Sequence, residues 1–247
     1  AKEKHRFTKV ELNNFEINLD LKNFKKYQDF FDRKKYSMPV IFNKGEIILY
    51  EGKNYVASIT QTNLTTKFDQ DLINSELNGK FLDDNIYISL NRESIDSKIS
   101  TELILKMKNL NFFTKVNFIN SEKDKNITSG NFLIKKGKNR ITAIFDYKNN
   151  ELMIKESNLR NIFLNGKLEG KITLLPYFNF NLDLNLDSIN FTKLYNSFLT
   201  LDEDNQKSLF KINNKINGQL NLFSNKIYSN YNLVKSLESR IKFYNGN

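Results

Sequence analysis

From Phe178 to Asp187 the chain reads Phe-Asn-Phe-Asn-Leu-Asp-Leu-Asn-Leu-Asp, apolar at each even position and Asn or Asp at each odd one. Successive side chains of a strand point to opposite faces, so this segment has one apolar wall and one wet wall. At about 3.3 Å per residue it extends roughly 33 Å. A helix would scatter the same residues around its axis, so the period selects a strand. The alternation returns, less strictly, from Ile95 to Met107, from Ile162 to Leu174 and from Ile212 to Leu222.

Shorter runs fill the rest. Phe7 to Leu12 and Phe15 to Leu21 flank Asn13-Asn14, and Val40 to Phe42 and Glu46 to Tyr50 flank Asn43-Lys44-Gly45, a hairpin-type turn. Tyr55 to Thr60 and Leu64 to Phe68 follow as two more strands. Asp83-Asp84-Asn85, Lys135-Lys136-Gly137 and Asn149-Asn150 mark further turns. Helices are expected from Phe24 to Lys35 behind an Asn23 cap, from Phe191 to Leu201 behind Asn190, and from Asp202 to Leu209. A repeat at constant offset matches Asn18, Leu19, Asp20, Asn23 and Phe24 with Asn185, Leu186, Asp187, Asn190 and Phe191. The shared unit is an alternating strand, an Asn cap and an amphipathic helix.

The pattern holds roughly sixteen strands and no βαβ rhythm, and short connections imply antiparallel neighbours. The expected fold is mainly β: a long antiparallel meander curled into an open trough or groove, with those few short helices. We read it as a single β-rich domain over residues 1–247, divisible into 1–92 and 93–247. Both ends look cut, so the chain reads as a piece of a longer protein.

Composition narrows the chemistry. With 21 Phe, 9 Gly and 2 Pro, the strands should be long and rarely punctuated. Having no Cys, the chain has no disulfide or thiolate site, and its one histidine, His5, leaves no Ser-His-Asp set and no multi-His metal site. The net charge of +10 is dispersed, and the wet wall of the clearest strand is Asn and Asp, which does not suit phosphate, so nucleic acid is not an expected partner. Asp83-Asp84 and Asp202-Glu203-Asp204 read as a turn and a helix start rather than a paired-acid site. No apolar run is long enough for a spanning helix. Nor do the Lys, Glu and Asp of the polar face suit an outer-membrane barrel. No enzyme activity, cofactor or metal is expected.

The segment Leu182 to Asn196, Leu-Asp-Leu-Asn-Leu-Asp-Ser-Ile-Asn-Phe-Thr-Lys-Leu-Tyr-Asn, resembles the recurring strand-plus-helix element of the AsmA-like proteins of Gram-negative bacteria. Met38 to Leu49 is similar to that family's Pro-containing strand, turn and next strand, and Gly79-Lys80-Phe81 is similar to a later strand start. The family's N-terminal membrane helix has no counterpart here, and Asn-Lys-Gly stands where a tighter Asn-Gly is usual.

The resemblance implies a non-enzymatic periplasmic protein held to the inner membrane by an anchor outside this chain. Its long sheet would form a groove for phospholipid acyl chains and support outer-membrane assembly, alone or with other envelope proteins. The residues expected to line that groove are Phe178, Phe180, Leu182, Leu184 and Leu186 on one strand, with Ile162, Leu164, Leu168, Ile172 and Leu174 on its neighbour. The rival reading is a structural sandwich, a scaffold or adhesin-like envelope protein whose apolar faces meet each other without lipid.

Overall fold

The computed structural model describes residues 8–23, 38–69, 72–95, 98–121, 127–173, 178–200, 217–230 and 234–244. The expected helices from Phe24 to Lys35 and from Asp202 to Leu209 lie outside these residues. The protein is mainly β, with sixteen strands, one α-helix and one 3-10 turn among the described residues. It divides into two compact units, Ala1–Asn117 and Phe118–Asn247.

The first unit begins with β1 (Val10–Asn13) and β2 (Glu16–Asp20). It continues through β3 (Val40–Glu51), β4 (Asn54–Asp69), β5 (Leu72–Phe81), β6 (Asp84–Ile95) and β7 (Lys98–Met107). β3 to β7 form the expected antiparallel meander. β1 and β2 instead run parallel to β3. A parallel neighbour needs a long crossover rather than a hairpin, and residues 21–39 supply it.

Asn43-Lys44-Gly45 is not a turn. β3 runs straight through it, and the extra residue forms a bulge with Lys44 at φ 55°. Its backbone N–H bonds the Asn63 side chain at 3.1 Å. β4 likewise runs unbroken where two strands were expected, with a bulge at Gln61, φ 49°. Each bulge shifts the inward parity by one, so Phe42 and Ile47 share a face, as do Leu64 and Ile59. The outcome is a set of apolar rows across the strands. Leu12, Phe42, Leu64, Leu77, Ile88 and Leu105 stand side by side. Beside them Ile47, Ile59, Leu77, Ile86 and Met107 form a core cluster, each only 5–8% exposed.

β8 (Phe112–Ser121) leads on to β9 (Thr128–Lys136), β10 (Asn139–Lys148) and β11 (Glu151–Arg160). Next come β12 (Leu164–Thr173), β13 (Asn179–Asn190) and the helix α1 (Phe191–Leu199). β14 (Asn217–Ser224), β15 (Ile227–Tyr228) and β16 (Leu237–Phe243) complete the second unit. β9 to β13 are an antiparallel meander, whereas β14 and β15 lie parallel to β13. The meander is therefore mixed in both units. In each unit a strand pairs in parallel with one that follows a long connection, β2 with β3 and β13 with β14.

Candidate functional site: the apolar wall of the second unit

The wall is built on β12, β13 and β14. Register places Leu168 opposite Leu184, Ile172 opposite Phe180, and Gly166 and Gly170 opposite Leu186 and Leu182. On the other side of β13, Leu182 meets Leu220 and Leu184 meets Leu222. β16 adds Ile241 and Phe243, and β11 adds Leu152, Ile154 and Leu159. The rows are thus continuous from β11 to β16. Rings gather at one end: Phe180 lies 6.1 Å from Phe178 and 5.4 Å from Phe243 between centroids.

Burial varies along this wall. Ile154, Leu186 and Ile189 are 3–5% exposed. Phe180, Leu182, Leu184, Leu164, Leu168 and Ile172 are only half-buried. Phe178 is 40% exposed and so is Ile241. Ile162 does not belong to the strand. The Asn161 side chain accepts from the N–H groups of Phe163 and Leu164, both at 2.8 Å, and this turn leaves Ile162 half exposed. Leu174 lies outside the described residues.

Glycines open the wall. A Cβ on Gly170, which has φ 129°, would come within 2.2 Å of the Asn181 carbonyl oxygen. Gly218, opposite Phe180, has φ 153°, and its Cβ would stand 2.7 Å from the Phe180 ring. Only glycine allows these approaches, and such positions in a strand let it bend sharply. Phe15 covers Gly45 in the same way in the first unit, again across a parallel pair.

One group of lining residues was missed from the sequence. Asp187 is an extra residue in β13, so beyond Leu186 the inward parity moves from even to odd and Ile189 enters the row opposite Leu164. The break of alternation at Asp187-Ser188-Ile189 is the signal that could have found it. Leu220 and Leu222 were visible as an alternating run, but not as neighbours of β13. α1 begins where expected, at Phe191, capped by the Asn190 side chain, which accepts from Lys193 N–H at 2.9 Å. It ends at Leu199, with Phe191, Tyr195 and Leu199 each 52–54% exposed.

The opposite face is wet. Asn179, Asn181, Asp183, Asn185 and Asp187 are all exposed. Asp183 accepts from Asn221 at 2.6 Å, and the Asn221 oxygen accepts from Arg240 at 3.2 Å, so a polar ladder crosses three strands. A recess of about 360 Å³ at the Asp187 bulge is lined by Asn158, Arg160, Asn161 and Asn165 among others, and is too polar for an acyl chain. No ionisable side chain stands among the wall residues named above. What the wall can do chemically is take apolar surface out of water. Comparison of the chain with protein-family models, with curated proteins and with solved structures finds no match in any of the three.

Proposed function

We propose that the wall of β12, β13 and β14 is a groove for phospholipid acyl chains in an AsmA-like envelope protein. In this reading the protein is a non-enzymatic, periplasmic lipid carrier. An anchor outside this chain holds it to the inner membrane, and it supports outer-membrane assembly. The observation that carries the reading is a contiguous set of Phe, Leu and Ile side chains, only half-buried along several strands and backed by a wet face. A solvated strip of that kind is unfavourable until something apolar covers it. An acyl chain would gain about 0.8 kcal/mol for each methylene it buries, with no directional contact required. Headgroups would stay in water, and discrimination among lipids would be low.

The rival sandwich reading draws support from the first unit, whose central row is buried to core level. Lipid capture separates the two. The purified chain is extracted with organic solvent and the extract searched for phospholipid, with Leu184→Asp in parallel. Co-purified phospholipid that is lost in a folded Leu184→Asp variant supports the groove. A lipid-free wild type would leave the wall an ordinary protein-packing face.

A further inference from the structure

Two hairpin turns share one backbone geometry and differ in sequence. Leu82-Asp83 joins β5 to β6 with φ 47° and 62°, and Asn149-Asn150 joins β10 to β11 with φ 51° and 65°. Left-handed values at both central residues define the hairpin turn that Asn, Asp and Gly accept readily. The second turn obeys that rule. The first puts a leucine where its branched side chain is disfavoured, and leaves that leucine 77% exposed. Neither the backbone nor the burial of Leu82 helps the fold, so its value lies elsewhere.

Leu82 has company at the same end of the first unit. The β3–β4, β5–β6 and β7–β8 turns fall on one side because the meander reverses at each strand. The end of β2 joins them, since Asp20 pairs with Tyr50 and its carboxylate accepts from Gly52 N–H at 3.2 Å. Asp84 ties two of the turns together by accepting from Asn109 N–H at 2.9 Å and Leu110 N–H at 3.0 Å. At this end Leu21, Tyr55, Val56 and Leu110 are 43–62% exposed. Exposed lysines stand between them, Lys22, Lys53 and Lys108, with Lys80 and Lys106 just further in, against the acids Asp20, Glu51, Asp83 and Asp84.

We infer that this end of the first unit docks on an anionic phospholipid bilayer, with Leu82 as the inserted side chain. Single apolar points on separate turns suit a fluid surface that can receive each one independently. A tyrosine and lysines around them suit the headgroup layer, where the phosphates lie. The inference does not depend on what fills the second unit's wall.

Sedimentation of the full chain with vesicles tests it. Phosphatidylcholine alone is compared with phosphatidylcholine mixed with phosphatidylglycerol. The expected result is binding to the mixed vesicles, weakened roughly tenfold in Leu82→Asn, which removes one buried leucine from the bilayer. Lys53→Glu is expected to weaken binding about fivefold or more, on the anionic vesicles only. Leu82→Asn suits the left-handed turn, so its melting temperature should equal or exceed that of the wild type, which separates lost docking from lost folding. Wild type that ignores both vesicle types, or Leu82→Asn that binds as wild type does, overturns the inference. So does a wild type that self-associates through this end while Leu82→Asn stays monomeric, because the patch would then be a protein interface.

Discussion

The two units use one plan to different ends. Each pairs the strands on either side of a long connection in parallel, and each sets a phenylalanine over a glycine across that pair, Phe15 on Gly45 and Phe180 on Gly218. In the first unit Ile47, Ile59, Ile86 and Met107 of the apolar face reach 5–8% exposure, while Phe42, Leu64, Ile88 and Leu105 in the neighbouring row are half-buried. In the second, Ile154, Leu186 and Ile189 are buried as deeply, glycines at 166, 170 and 218 occupy row positions, and Leu168, Leu182 and Leu184 stay half-buried. The same alternation therefore builds a wider buried cluster in the first unit, and in the second a half-buried strip in which two glycines with positive φ, Gly170 and Gly218, bend the strands.

The largest test of this contrast is truncation on each wall. Ile86→Ala should destabilise the first unit by about 2–5 kcal/mol, because a buried side chain leaves a cavity. Leu184→Ala, on the half-buried strip, should cost about 1 kcal/mol or less, yet lower the lipid carried. Urea denaturation of both variants measures the difference. Equal losses would erase the contrast.

Next come the glycines. Gly170→Ala must hold alanine at φ 129° and press its Cβ on a carbonyl oxygen, and strain of that kind costs about 1–3 kcal/mol. Gly79→Ala in the first unit presses chiefly on the Ile59 side chain, without a left-handed backbone. Thermal melting should therefore fall further for Gly170→Ala. The reverse order would remove the argument for a bent strand.

The smallest effect is a pH dependence confined to one turn. Burial tends to raise the Asp84 carboxyl, but the backbone N–H groups of Asn109, Leu110 and Asn85 outweigh it and hold the group below its ordinary value. The unfolded chain then binds more protons as the pH falls. The stabilising contribution of Asp84 is complete above about pH 5 and fades as the pH drops through about 4 towards the folded value. Glu11 and Asp146 are lowered too, Glu11 by Lys9 and Asp146 by Lys155 and Ser129. Asp84→Asn should therefore lessen, not abolish, the loss of melting temperature between neutral and acid pH. An unchanged slope would mean the Asp84 contacts add nothing to stability.

Much of the fold could be read from alternation alone. β13, α1 with its Asn190 cap, and the turns at Asn149-Asn150 and Gly137 all stand near their expected places. What escaped were the features that alternation cannot encode. Bulges at Lys44, Gln61 and Asp187 reset the parity through one extra residue, and no residue type marks them uniquely. Asn43-Lys44-Gly45 has the composition of a turn, yet its neighbours Phe42 and Ile47 both find partners on β4, so tertiary pairing overrode the local signal. The parallel pairings were hidden because partner choice spans the whole crossover. Of the expected lining, the β13 residues and Leu164, Leu168 and Ile172 come together as one surface, while Ile162 is turned out by the Asn161 turn.

The central claim is that lipid, not protein, covers the second unit's strip. A photoreactive benzophenone side chain introduced in place of Leu184, and separately in place of Asp183 on the opposite face, puts the question to each face of the same strand. Irradiation in the expressing cell followed by mass spectrometry should give phospholipid adducts from position 184 and none from position 183. Adducts to protein alone at 184, or equal lipid adducts from both positions, would contradict the groove.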